Sequence, residues 1–405
     1  MDQVWPSLGP GLPVGEEGKG DGAARGRGGS DERERFEHNR GPMLAVLGRA
    51  MEGVKAVRAP GLDWAIDRAD WLRATGLRLL PKGGASLWVG REKRAAVLGV
   101  AMLMVALGLS VTYPLALLAV GPLVYGVPHI LADIRYLLAR PGLSKRPLFL
   151  GALGVGCALG AAGLGVRGAV VGAALALIAS RATGVRKGIG VAAAAAVFAV
   201  CQWAGWYSDL AFVHLHNFVG VAIWFFWRER VTRLHWIYTA LFFGGCAAIT
   251  LGAAAPIVAM TGGYHAPWTD LTFREIAWGV SPTPSGVWAE RLLVLFTFAQ
   301  AAHYVVWLRL VPEDDRPSPA PRSYRQTYRA FVADVGGAVM WAALLSVAAL
   351  VVWACFSIGK ARTGYLNLAF FHAHLEVIAI AVLWAEGRWP FVRPAQDDGK
   401  RAAMV

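Results

Sequence analysis

The run PLALLAVGPLVYGVPHILADIRYLLA, residues 114–139, decides the fold class. It is 26 residues long and carries only two charged side chains, Asp133 and Arg135. A helix rising about 1.5 Å per residue needs roughly 20 mainly apolar residues to cross the hydrocarbon core of a bilayer. The stretch therefore predicts a membrane-spanning helix, bent where GPLVYGVP (121–128) interrupts it with Gly and Pro. Reading outward gives nine more apolar stretches, at 95–112, 147–166, 169–181, 188–207, 210–228, 234–257, 288–311, 333–357 and 365–386. The expected architecture is an all-α polytopic transmembrane helix bundle of about ten spans. Residues 169–181 are too short to cross upright; they read either as a short span or as the second arm of a bent or re-entrant hairpin with 147–166.

The basic residues test this count. With residue 94 placed in the cytoplasm, the cytoplasmic flanks of the ten stretches hold seventeen Lys and Arg and the opposite flanks five. Positive charge collects on the cytoplasmic side of membrane proteins, so both termini are expected inside. The composition agrees: of 405 residues, 56% are hydrophobic and 17% charged, with a net charge of +13. Soluble proteins carry about 25% charged residues. A soluble multidomain enzyme and a disordered chain are excluded on these grounds. A nucleic-acid binder is excluded because the basic residues are spread between apolar runs instead of clustering on a polar domain. The expected location is integral to a membrane, the inner (cytoplasmic) one in a bacterium, with the lipid bilayer as the chain's first partner; the sequence names no protein partner.

Residues 1–45, rich in Gly, Arg and Glu, are expected to form a disordered cytoplasmic tail. Residues 46–90 read as amphipathic interfacial helices. Trp64, Trp71, Leu72, Thr75 and Leu79 recur near helical spacing, which suits a helix in the membrane interface or one packed on the cytoplasmic loops. Residues 91–390 hold the bundle and 391–405 a second cytoplasmic tail. The 258–287 connection is expected to cap the outer mouth, and the Pro-rich 312–329 connection to be a solvated linker. Cys157, Cys201, Cys246 and Cys355 all lie in apolar runs without close spacing, so neither a disulfide framework nor a thiolate metal site is expected.

Ionisable side chains inside apolar spans are costly and usually face a bundle interior or cavity. Six of the nine histidines are so placed: His129, His214, His216, His303, His372 and His374. His129 is followed one helical turn later by Asp133, and His372 by Glu376. A carboxylate there either ligates a metal with the imidazole or fixes its tautomer; a buried hydrogen bond joining helices is the plain structural alternative. His214 and His216 lie two residues apart, on roughly opposite helix faces, as do His372 and His374. One functional and one structural His is expected in each pair. Depths measured from the predicted span midpoints scatter the six, with His214 and His216 farthest outward. A single centre then requires tilted spans or a broken 121–128 segment. Imidazoles without thiolates suit Zn, Cu, Fe or Ni. Fe(II) acting with O2 on a lipid-soluble substrate is the favoured cofactor reading, and a haem held between two His the competing one.

GVPHILAD, residues 126–133, resembles the G-x-P-H-x-x-x-D signature of the bacterial Brp/Blh carotenoid-cleaving family. FFHAHLE, residues 370–376, is loosely similar to that family's second His-containing span. The resemblance implies a polytopic membrane protein that binds non-haem iron and splits β-carotene to retinal, with His129 as a ligand and Asp133 beside it. The expected function is a membrane-embedded, His-ligated non-haem iron oxygenase or related oxidoreductase acting on an isoprenoid, carotenoid or acyl lipid. Asp133 and Glu376 are its catalytic candidates. Trp224, Phe225, Phe370 and Phe371 are candidate walls of a substrate slot. A proton-coupled transporter using the His–carboxylate pairs, and a non-catalytic multipass protein, are the alternatives.

Overall fold

A computed structural model of the chain describes residues 60–79, 90–227, 232–316 and 321–388. The tails expected at 1–45 and 391–405 lie outside these residues. The described chain is helical without strands, and helices fill all ten apolar stretches. The helices α1 (Pro60–Arg78), α2 (Arg91–Thr112) and α3 (Pro114–Asp133) are followed by α4 (Pro147–Leu159), α5 (Val166–Ile178), α6 (Gly184–Ala204) and α7 (Trp206–Phe225). Next come α8 (His235–Thr250), α9 (Ala255–Thr261), α10 (Phe273–Val280), α11 (Val287–Val305) and α12 (Val311–Asp314). The chain closes with α13 (Tyr324–Val335), α14 (Gly337–Phe356) and α15 (Ile358–Ala385).

Among the described residues, seven helices are long and apolar enough to cross a membrane. They are α2, α3 with its extension to Ala139, α4 with its extension to Leu164, α6, α11 continued to Asp314, α14 and α15. The α8–α9 pair, bent by 76°, makes an eighth if it counts as one span. Two of the ten expected spans are helices of another kind. α5 has only 13 residues, and α7 carries Asp209, His214, His216 and Asn217, which dilute its apolar character.

α4 and α5 form a hairpin. The chain reverses at Gly163 and Gly165, whose φ values of 103° and 55° suit residues without a Cβ. Gly156 and Gly160 on one arm face Gly168 and Gly172 on the other. A Cβ on Gly168 would lie 2.4 Å from the backbone nitrogen of Gly160. Small residues at such four-residue spacing let backbones approach in apolar surroundings, where dispersion contacts hold helices together.

α11 runs through the centre, packed by α2, α3, α7 and α8, with Leu293, Phe298, Ala302 and Trp307 fully buried. α15 packs against α3 and α5, whereas α14 stands at the periphery and buries Leu350 alone. Two ends of the bundle differ in character. At one, the 262–272 connection and α10 cover the helix ends: Ile276, Ala277 and Val280 join Leu115, Leu118 and Leu293 in a small core. This is the cap expected over 258–287, built as a helix with a Thr272–Glu275 capping box.

At the other end the expected solvated linker is corrected in part. Glu313 and Asp314 are buried in α12, and α13 begins on a Ser323–Gln326 capping box. Glu313 accepts from Arg94 Nε at 3.0 Å and pairs with Arg309 and Arg316 at 3.3 and 3.2 Å. Asp314 accepts from Trp224 Nε1 at 2.8 Å. α1 docks here by its acidic stripe: Asp70 accepts from the backbone N–H groups of Tyr324 and Arg325 at 2.6 and 3.0 Å. Its other face leaves Trp64, Trp71 and Leu72 exposed.

Candidate metal centre

Four helices each bring one imidazole to the middle of the bundle. His129 is the sixteenth of the 26 residues running from Pro114 to Ala139, and His303 the seventeenth of the 28 running from Val287 to Asp314. His216 is the eleventh of the 20 residues of α7, and His372 the fifteenth of the 28 of α15. Each lies near its helix's midpoint, so the scatter in depth expected from the sequence disappears. The cause is that α7 begins four residues, and α15 seven residues, earlier than the apolar runs suggest. Polar residues such as Ser208, Asp209 and Arg362 belong to the helices they seemed to precede.

The four rings form a closed circuit. Centroids are separated by 4.7 Å from His129 to His303, 4.6 Å from His303 to His216, 5.0 Å from His216 to His372 and 5.1 Å back to His129. Two nitrogen pairs face each other directly: His129 Nε2 and His303 Nε2 at 3.1 Å, and His216 Nε2 and His372 Nε2 at 3.3 Å. Ligand atoms of His129, His216 and His372 lie within 4.8 Å of one another, as do those of His129, His303 and Glu376. His129 belongs to both groups.

The outer hydrogen bonds fix two of the tautomers. His216 Nδ1 donates to Glu376 Oε2 at 3.0 Å, and His372 Nδ1 donates to the carbonyl of Ala369. A neutral imidazole has one N–H and one lone pair, so with both rings neutral and Glu376 ionised the two Nε2 atoms turn lone pairs toward each other. Such an arrangement is repulsive unless a proton or a metal ion lies between. With metal–nitrogen distances of about 2.0–2.1 Å, neighbouring ligands of one ion stand about 3–3.4 Å apart, which matches both pairs.

The carboxylates flank this circuit. Asp133 Oδ2 is 3.4 Å from His129 Nε2, and Glu376 Oε1 is 3.8 Å from His303 Nε2. Glu376, placed one turn after His372, thus reaches across to α7 and α11. Both oxygens of Asp133 and Oε1 of Glu376 are buried without a hydrogen-bond partner. A buried polar atom so stranded costs about 1–3 kcal/mol, more when charged, and a cation would relieve it.

His214 and His374 stand outside the circuit. His214 Nε2 donates to the carbonyl of Val280 at 2.7 Å, tying α7 to α10. His374 turns away against Phe370 and the backbone of Gly160. The four expected slot aromatics are also elsewhere. Trp224 serves the Asp314 end, Phe225 packs on His235 and Trp236, Phe370 packs on His374, and Phe371 joins the core. Side chains that do touch the circuit were not singled out in the sequence: Tyr304 lies 5.4 Å from His129, and Trp307 6.2 Å from it, centroid to centroid. Trp307 follows His303 by four residues, a helical spacing that could have drawn attention to it.

The helical backbone departs from α geometry just past two of the four histidines. π segments run over Ile134–Ala139 after His129 and over Val306–Leu310 after His303. Such widened turns are frequent at functional sites. Pro128, adjacent to His129, also removes one backbone donor from α3.

Compared with family models, curated proteins and solved structures, the chain shows no match to any of them.

Proposed function

We propose that the imidazole circuit is a metal centre of a membrane-embedded oxidoreductase with Fe(II) as the ion, His129 being shared by two ligand sets, one with His216 and His372 and one with His303 and Glu376. The observation that carries this reading is the convergence of His129 with His216 and His372 and with His303 and Glu376, the ligand atoms of each group lying within 4.8 Å of one another. Nitrogen and carboxylate donors without thiolate favour iron or zinc over soft ions. Asp133 and Glu376 supply two carboxylates, which balance the charge of a divalent ion in a setting where net charge is costly. The resemblance of GVPHILAD to the Brp/Blh family adds support for iron and for a lipophilic, carotenoid-like substrate. A porphyrin fits poorly: ring centroids 4.6–5.1 Å apart leave no planar gap for the macrocycle.

The chain's own groups have definable tasks. Glu376 and the Ala369 carbonyl hold the Nδ1 protons and so aim the Nε2 atoms inward. Asp133 places a carboxyl oxygen 3.4 Å from His129 Nε2. Tyr304 and Trp307 cover the His129–His303 side and keep water from it. A bound ferrous ion would supply the ability to activate O2 toward an alkene or activated C–H group.

The test is metal analysis of the detergent-purified protein together with its absorption spectrum. Near-stoichiometric iron without a Soret band is expected. His129→Ala and His303→Ala should lose the ion, and His214→Ala and His374→Ala should keep it. A folded protein that takes up no metal when supplied with Fe(II), or one with a Soret band, overturns the proposal. Bleaching of a carotenoid-accumulating host that expresses the protein checks the substrate class.

A further inference from the structure

A cavity of about 290 Å³ opens on the flank of the bundle between α2, α3 and α11. Met102 and Val105 line it from α2, Gly121 and Tyr125 from α3, Gln300 and Tyr304 from α11. A shallower depression continues it to Trp268 in the 262–272 connection and shares Leu109, Leu117, Gly121 and Tyr125 with it. Along α2 the combined groove runs from Ala101 to Tyr113, about 18 Å at the helical rise. No residue lining either part is charged. The Thr297 hydroxyl donates to its own helix at Leu293, which leaves the Gln300 amide, the tyrosine hydroxyls and the Trp268 indole N–H as the polar side-chain groups of the wall.

The inner part of this groove adjoins the imidazole circuit. Tyr125 precedes His129 by one helical turn, and Gln300 precedes His303 by three residues. The Tyr304 ring is 6.0 Å from that of Tyr125 and 5.4 Å from that of His129, so it stands between groove and circuit. The mouth is flanked by Met102, Val105, Leu109 and Tyr125, all exposed on helices long and apolar enough to cross a membrane. A charged ligand would find no countercharge on this path.

We infer that this groove admits an extended, uncharged hydrocarbon chain sideways from the bilayer and brings its inner portion to the Tyr304–His129 wall. The inference deepens the metal-centre reading and rests on it for the chemistry; occupancy of the groove is nevertheless measurable without metal. Gly121 keeps the floor open. A Cβ there would meet only Leu117 Cδ1, at 3.9 Å, so the backbone tolerates a side chain that fills the groove.

The experiment is photolabelling of the full-length protein in proteoliposomes with a long-chain alkane bearing a diazirine near one end, mapped by peptide mass spectrometry. Label is expected on the Gln300–Tyr304 segment, falling at least several-fold in Gly121→Leu. Ala101→Phe, which fills the same groove from α2, is the second variant should the first fold poorly. Label concentrated instead on Leu215 and Leu368, beside His216 and His372, overturns the inference, as does groove labelling indifferent to both substitutions. Metal content of the same preparations separates the two readings: lost metal with groove labelling retained counts against the centre alone.

Discussion

Gly220 sets how closely α7 approaches His303. A Cβ there would lie 2.6 Å from His303 Nδ1, so Gly220→Ala must push the ring out of the circuit. Metal stoichiometry should fall sharply while helical circular dichroism stays unchanged. Glu376 acts through orientation and charge: Glu376→Ala should weaken metal binding about 10–100-fold, the usual cost of losing a group that orients a ligand. Glu376→Gln keeps an acceptor for His216 Nδ1 and should lose less, as a competition titration against a chelator would show. At this scale the sequence was half legible. Four-residue spacing found Asp133 beside His129, because that contact lies within one helix. It could not choose between His214 and His216, or between His372 and His374, because residues two apart face opposite ways and the neighbour of each face comes from a distant part of the chain. The Val280 carbonyl takes His214, and the Gly160 turn receives His374.

The elements were legible where they are apolar and obscure where polar residues extend them. The helical runs stand out by composition, but their starts at Trp206 and Ile358 do not, and those starts determine the depth of His216 and His372. The close α4–α5 approach depends on Gly168: Gly168→Ala would set a Cβ against backbone, for which no side chain can yield, and overpacking of this kind typically costs about 1–3 kcal/mol. A lower thermal midpoint in detergent is the expected result. α1 offers a pH-dependent contact outside the spans. Partial burial nudges the Asp70 carboxyl upward, but the N–H groups of Arg325 and Tyr324, the Ser323 side chain and the Arg73 charge more than offset it and hold it below the ordinary carboxylate value. The stabilisation is therefore complete above that value and is lost as pH falls through the lowered one. Amide exchange in α1 should accelerate on that acid side, and Asp70→Ala should produce the same acceleration at neutral pH.

Across the whole molecule, Glu313 joins the start of α2 to the end of α11 through Arg94, Arg309 and Arg316. Removing one partner of a buried ion pair is destabilising by about 3–5 kcal/mol, so Glu313→Ala should lower the thermal midpoint more than any substitution of an exposed charge. The orientation expected from the Lys and Arg distribution has its own check. In a background lacking Cys355, a cysteine introduced as Ser285→Cys should react in intact cells with a maleimide that cannot cross membranes. The depth of the imidazole circuit has a kinetic consequence. His129 and His303 are 1% exposed, and the half-buried His216 and His372 lie near the midpoints of their helices. An aquated ion must shed its water far from any aqueous mouth. Exchange with the solution should then run at the pace of the bundle's own opening, so a folded protein would hold its ion against a strong chelator for long periods. On the metal-centre reading, loading would belong to the stage at which the four helices first come together, and the metal supply of the cell would matter at the moment of membrane assembly.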